Sequence, residues 1–239
     1  MTPRPAIFAH RGVSQNVREN TIRAFELALK MGVDGVELDI WQTRDGHIVV
    51  HHDPQVDGIS IETANVPDLP NFVPTLSAAL DICSSMRVNI EIKSSAANPS
   101  AAFQLGEALI NLLRLRSEPI ERWLVSSFNH DAVDRVKQSA PEIPTALLLW
   151  EPPWHSTIEH AVDRGHLAVH PHESMVDAKL VEAAKQNGLQ VNPWTVNNLE
   201  RANQLVAIGV DGLITDVPGD MLKHLASKSK GCLRSSGNN

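Results

Sequence analysis

Short apolar runs alternate along the chain with stretches in which apolar positions recur every three or four residues. The short runs, near 5–9, 34–40, 87–92, 122–127, 144–149, 166–170, 189–193 and 210–214, predict strands. The stretches between them, near 20–31, 75–85, 99–115, 130–139, 156–164, 177–187, 198–208 and 218–226, predict helices. In the first of these, Ile22, Phe25, Ala28 and Leu29 share one side, as do Leu180, Val181 and Ala184 in a later one. That one-sided spacing is expected of helices packed on a sheet. Gly32, Gly188 and Gly209 follow predicted helices where a left-handed terminating glycine belongs. Two connections, Met31-Gly32-Val33-Asp34-Gly35 and Ile208-Gly209-Val210-Asp211-Gly212, echo one another.

Eight strand–helix repeats predict an α/β fold, a TIM (β/α)8 barrel, over residues 1–227. A doubly wound sheet is the rival, but no glycine-rich dinucleotide loop follows the first strand. After the second strand, Thr43-Arg44-Asp45-Gly46-His47-Ile48-Val49-Val50 predicts an inserted hairpin with its turn at Asp45-Gly46. The longest connection, about 54–74, is the length of a lid or binding loop. Residues 228–239, rich in Ser, Lys, Gly and Asn, predict a flexible tail.

At 239 residues and 42% hydrophobic, the chain has ample material for one large core. Its net charge of −7 argues against a nucleic-acid partner. No run is long and apolar enough for stable membrane insertion, and the first apolar run, Ala6–Ala9, is too short for a signal peptide. Two cysteines, Cys83 and Cys232, make no disulfide framework, and the expected location is the cytoplasm.

Against that background three acids stand out. Glu37 and Asp39 lie in Gly35-Val36-Glu37-Leu38-Asp39-Ile40, and Glu91 in Val88-Asn89-Ile90-Glu91-Ile92-Lys93. Residues two apart on a strand face the same side, so Glu37 and Asp39 sit together, as do Glu91 and Lys93. Acids there are costly unless neutralised. A hard divalent cation, Mg²⁺ or Ca²⁺, is the simplest neutraliser; pairing with Arg or Lys is the plainer one. In a barrel, chemistry gathers at the C-terminal strand ends. Those ends carry His10-Arg11, His52-Asp53 after the hairpin, Glu91/Lys93, Ser126-Ser127-Phe128, His170, Trp194 and Thr215-Asp216. Histidines, acids and cations together suit phosphoester cleavage. Phe128 and Trp194 are candidate walls of the pocket, and Pro152-Pro153-Trp154 a candidate lip for an apolar chain. Glu19 and Asn20 fit either an N-cap for the first helix or support of the site.

His10-Arg11-Gly12, Glu19-Asn20-Thr21, Glu37-Leu38-Asp39, Thr43-Arg44-Asp45-Gly46 and His52-Asp53 resemble the signature of the glycerophosphodiester phosphodiesterase family, in order and spacing. The likeness continues through Asn89–Lys93, Ser127-Phe128, Trp194-Thr195-Val196-Asn197 and Gly212–Pro218, across almost the whole barrel. The resemblance implies one Mg²⁺ or Ca²⁺ on Glu37, Asp39 and Glu91, acid–base roles for His10 and His52, and phosphate binding by Arg11 and Lys93. The family pattern of His followed by Asp selects His52 over His51. It further implies attack of a substrate glycerol hydroxyl on phosphorus, a cyclic phosphate opened by water, and release of an alcohol and sn-glycerol 3-phosphate. Two departures are visible. Arg18 stands where the family has Pro, and the Leu-x-Arg-Thr-Thr stretch after His-Asp is absent. Two rival readings share the barrel: a lysophospholipase D-like enzyme, and a non-catalytic binder of glycerophosphodiesters. The second predicts loss of a catalytic residue, and none is missing.

Overall fold

A computed structural model describes residues 4–15, 17–95 and 98–235, with side chains described up to residue 227. Strand β1 (Ala6–His10) leads to helix α1 (Ile22–Met31), then β2 (Gly35–Gln42) and the short β3 (Ile48–Val50). A hairpin of β4 (Gln55–Val56) and β5 (Ile59–Ser60) precedes α2 (Leu76–Ile82). Strand and helix then alternate: β6 (Arg87–Ile92), α3 (Ala101–Arg114), β7 (Trp123–Ser127), α4 (His130–Ser139), β8 (Thr145–Leu149) and α5 (His155–Arg164). The series closes with β9 (Ala168–Pro171), α6 (Ala178–Gln186), β10 (Gln190–Val191), α7 (Leu199–Ile208), β11 (Gly212–Thr215) and α8 (Pro218–Ser235).

Eight strands pair in the parallel order β10-β9-β8-β7-β6-β2-β1-β11. Between the two ends of that order, Asp211 N–H donates to the Val191 carbonyl at 2.9 Å and Ile214 N–H to the Pro193 carbonyl at 3.0 Å. The sheet is therefore a nearly closed barrel with helices between its strands, as the strand–helix rhythm predicts. Strand β3 pairs antiparallel with Ile40–Gln42 of β2, the predicted hairpin, and Gly46 at its turn has φ 82°.

Alternation along β2 and β6 decides where the acids go. Val36, Leu38 and Ile40, with Val88, Ile90 and Ile92, pack outward against Phe25, Ala28 and Leu105 of the surrounding helices. Glu37, Asp39, Asn89 and Glu91 take the opposite face, into the barrel, and all are buried. The floor of the interior is filled by Phe8. A Cβ at Gly35 would lie 2.5 Å from the Phe8 ring, so only glycine fits there.

Residues 54–74 depart from the lid expectation. Asp57 and Gly58, both with positive φ, make a tight turn between β4 and β5. The segment buries Val56, Ile61, Ala64, Leu69 and Val73 against Trp41 and Val49, a small apolar cluster of its own. Helix α8 also differs from the expected end at 226: its backbone stays helical through Ser235, into the predicted tail, and residues 236–239 lie outside the described residues.

Candidate active site

The parallel register sets β2 between its two partners so that functional groups fall side by side. His10 pairs with Glu37 across β1–β2, and Asp39 with Glu91 across β2–β6. One oxygen from each of Glu37, Asp39 and Glu91 lies within 4.8 Å of the others. Glu37 Oε1 is buried without a hydrogen-bond donor.

The electrostatics of this cluster are lopsided. Burial, with Asp39 and Glu91 beside it, pushes the Glu37 carboxyl well above the usual carboxylate range. Burial and the nearby Asp39 push Glu91 up to about 7. Burial acts against Asp39 as well, but Lys93 and Arg11 hold its carboxyl below the usual value. Lys93 Nζ lies 3.0 Å from Asp39 Oδ1 and donates to Glu91 Oε1 at 2.8 Å. Arg11 Nε lies 3.3 Å from Asp39 Oδ2, while its Nη1 donates to Glu19 at 2.9 Å. Thus one acid is ionised by two cations, and two resist ionisation until more positive charge arrives. Three converging carboxylates, one of them with a buried oxygen that no donor reaches, fit a hard divalent cation.

The turn after β1 is shaped to serve this cluster. Arg11 and Asn20 occupy the left-handed region at φ 56° and 54°, a conformation that costs a side-chain-bearing residue roughly 1 kcal/mol or more. Tertiary bonds hold them there. Arg11 N–H donates to Glu37 Oε2 at 3.1 Å, and the Asn20 amide donates to Asp39 Oδ2 at 2.7 Å. Thr21, not Glu19 or Asn20, caps α1 through the Ala24 N–H. Glu19 and Asn20 therefore belong to the site's support.

His10 is oriented from behind. Its Nδ1 sits 2.7 Å from Asp216 Oδ1, leaving Nε2 toward Glu37 at 3.8 Å. Asn197 in turn donates to Asp216 Oδ2 at 2.7 Å and accepts from the Asp216 N–H at 2.9 Å. The chain pattern marks Asp216 and Asn197 only as residues at strand ends; their partnership with His10 needs the barrel to close. His52 Nδ1 lies 2.8 Å from Asp53 Oδ1. Burial and Lys93 draw the His52 imidazole below its ordinary value, against the pull of Asp39. His51 instead turns its Nδ1 to the Asp53 carbonyl.

These groups open into one cleft of about 370 Å³ lined by His10, Arg11, Glu37, His52, Glu91 and Lys93 on one side. The other side is Phe128, Leu148, Trp150 and Trp194. Trp194 meets the Phe128 ring edge-on at 5.5 Å and lies 5.1 Å from Trp150. Trp150, at the end of β8, takes the place expected of Trp154, which packs toward the helix layer and stacks on His155. No residue of 54–74 lines the cleft. All nine residues expected at the site are thus accounted for, and all but Asp39, which lies just behind the acids, face the cleft.

Residues 10–220 match the model of the glycerophosphoryl diester phosphodiesterase family. The chain belongs to this family. It is 35% identical to a glycerophosphodiester phosphodiesterase of Caldanaerobacter subterraneus, over 90% of this chain and 96% of that protein. Among solved structures, a phosphodiesterase of Oleispira antarctica in complex with its product sn-glycerol-3-phosphate superposes with a TM-score of 0.82 at 25% identity, covering 93% of this chain and 97% of that one. A glycerophosphodiester phosphodiesterase of Parabacteroides distasonis gives 0.81 at 26% identity, over 95% and 98%. The family is one of phosphodiester hydrolases with TIM barrels, and this chain has that fold and that class of activity.

Proposed function

We propose that this chain hydrolyses glycerophosphodiesters with one bound Mg²⁺ or Ca²⁺, releasing an alcohol and sn-glycerol 3-phosphate. The observation that carries the proposal is the buried trio of Glu37, Asp39 and Glu91 sharing one cleft with His10 and His52. Glu37, Asp39 and Glu91 would hold the cation, which supplies charge neutralisation at the phosphoryl oxygens. Arg11 and Lys93, already among the acids, would take the remaining phosphate charge. His52, kept neutral by burial and Lys93, suits the proton acceptor for the attacking glycerol hydroxyl. His10, fixed by Asp216 with Nε2 toward the cleft, then suits the donor to the leaving oxygen.

Phe128, Trp150 and Trp194 would face the leaving alcohol. The same apolar wall favours one second reading, a lysophospholipase D-like cleavage in which it holds an acyl chain. We place the activity in the cytoplasm. No helix among the described residues is long and apolar enough to cross a membrane. Cys83 is a free buried thiol whose pKa burial pushes up to about 12, as befits an inert core residue. The deciding experiment measures choline release from glycerophosphocholine and lysophosphatidylcholine side by side, with and without EDTA. Release from the first alone, abolished by EDTA and restored by Mg²⁺ or Ca²⁺, is the expected result. Undiminished release after chelation overturns the metal assignment.

A further inference from the structure

A second convergence of ligating atoms lies outside the barrel. Asp134 on α4, His160 on α5 and His166 in the connection to β9 bring one ligating atom each within 4.8 Å of the others. His160 Nε2 is 2.9 and 3.1 Å from the two Asp134 oxygens, and His166 Nε2 is 2.9 Å from Oδ1. Both imidazoles thus aim the same ring nitrogen at one carboxylate. We propose that Asp134, His160 and His166 form a second metal site, which takes one borderline transition-metal dication of the Zn²⁺ kind.

The donor set excludes the hard ions suited to the catalytic acids, because two imidazole nitrogens favour Zn²⁺ and its neighbours over Mg²⁺ or Ca²⁺. Tetrahedral Zn²⁺ bonds of about 2.0–2.1 Å put ligand atoms roughly 3.3 Å apart. The two contacts between Asp134 and the histidines therefore need to spread by only a few tenths of an ångström. The outer support is also built. His166 is buried, and its Nδ1 lies 2.8 Å from the buried Thr145 hydroxyl. A hydroxyl both donates and accepts, so Thr145 holds either tautomer. Without a metal, the hydroxyl donates to Nδ1 and Nε2–H donates to Asp134. With a metal, Nδ1–H donates to the hydroxyl and the Nε2 lone pair is free to ligate.

A route in exists as well. Asp134 and Arg164, with Asp131 and Asp163, line an open surface cleft of about 630 Å³. Arg164 Nε is 3.4 Å from Asp134 Oδ2, but its side chain is 61% exposed. It can swing into water and vacate the fourth position for a solvent ligand. Occupied, the site ties α4, α5 and the entry to β9 to one ion, a staple on the side of the barrel that carries no catalytic group.

The test titrates Zn²⁺ into full-length protein already saturated with Mg²⁺, following bound zinc and melting temperature. Wild type should bind one Zn²⁺ tightly and gain several degrees, since a ligand of the folded state alone stabilises it. Glu37→Gln should keep that site. His160→Ala and Asp134→Asn should bind Zn²⁺ at least tenfold more weakly and lose the gain. His160→Ala, at a partly exposed position, should retain basal phosphodiesterase activity with Mg²⁺. Co²⁺ should give strong four-coordinate visible absorption in wild type and not in His160→Ala. Equal zinc affinity in wild type and His160→Ala, or binding lost in Glu37→Gln alone, overturns the proposal.

Discussion

Asp216 holds His10 by a 2.7 Å contact between Oδ1 and Nδ1 that joins the end of β11, the last strand of the chain, to the end of β1, the first. A carboxylate at Nδ1 selects the tautomer with its proton there and leaves Nε2 to exchange protons with substrate. His10→Ala should lower kcat by about 10²–10⁴, the usual scale for a general acid or base. Asp216→Asn should lower kcat with little change in KM, because it alters ring orientation and not substrate contacts. Steady-state kinetics on glycerophosphocholine check both, and unchanged kcat in Asp216→Asn would remove this role.

The two adjacent histidines after β3 separate cleanly. His52 lines the cleft and His51 does not. His52→Ala should cost about 10²–10⁴ in kcat, and His51→Ala little. The same assignment fixes a pH dependence. As proton acceptor His52 must be neutral, and its pKa lies below the ordinary 6.5. Activity should therefore persist below pH 6.5 and fall only as pH drops through that lowered value. An acid limb in kcat/KM well above 6.5 would assign the limb to another group.

Cation affinity should rise with pH. Burial and Asp39 hold Glu91 near 7 when no cation is bound, so below that pH a proton competes for the same oxygens. Mg²⁺ or Ca²⁺ should bind more tightly as pH climbs to about 7, with proton release that calorimetry in buffers of differing ionisation enthalpy reads directly. Glu37→Gln, which removes a charge from the site, should weaken binding by at least tenfold.

Head-group preference should be shallow. The segment 54–74 leaves the cleft uncovered, and the wall facing it is aromatic, with Trp150 56% exposed. A half-exposed cation–π contact is worth about 0.5–1 kcal/mol. Choline, ethanolamine and glycerol head groups should then differ within about tenfold in kcat/KM, with choline ahead, and Trp150→Ala should erase that lead. A thousandfold preference in a three-way competition assay would show that something closes over the head group.

A buried histidine should make the fold acid-sensitive. His170, inside the barrel, accepts from Asn192 at Nε2, and its Nδ1 has no partner. Burial lowers its pKa to about 3. Between that value and 6.5 the unfolded chain binds the proton and the folded chain does not, so stability falls as pH falls through this window. In His170→Asn the slope of unfolding free energy between pH 6 and 4 should be shallower by about 1.4 kcal/mol per pH unit. Urea melts across that range check it.

The chain's own pattern determined the barrel. Strands β2 and β6 alternate apolar with acidic, and period two permits only one placement of Glu37, Asp39 and Glu91 on a common inner face once the strands are parallel neighbours. Helix ends were legible because glycine at positions such as Gly32 and Gly209, with φ 72° and 88°, is written in the residue type itself. What only the tertiary structure decided lies between distant segments. Asp216 meets His10 across 206 positions of sequence, and Asn20 meets Asp39 across a helix. Trp150, and not Trp154 of the expected lip, joins Phe128 and Trp194 at the cleft, because β8 ends at Leu149 and delivers the next side chain to the mouth. The fate of residues 54–74 was also set by packing. A polar, turn-rich composition is common to a lid and to a self-packed hairpin, and the burial of Val56, Ile61 and Leu69 against Trp41 chose the hairpin. Local periodicity fixes which way a side chain points, whereas its partner depends on barrel closure, which no single segment encodes.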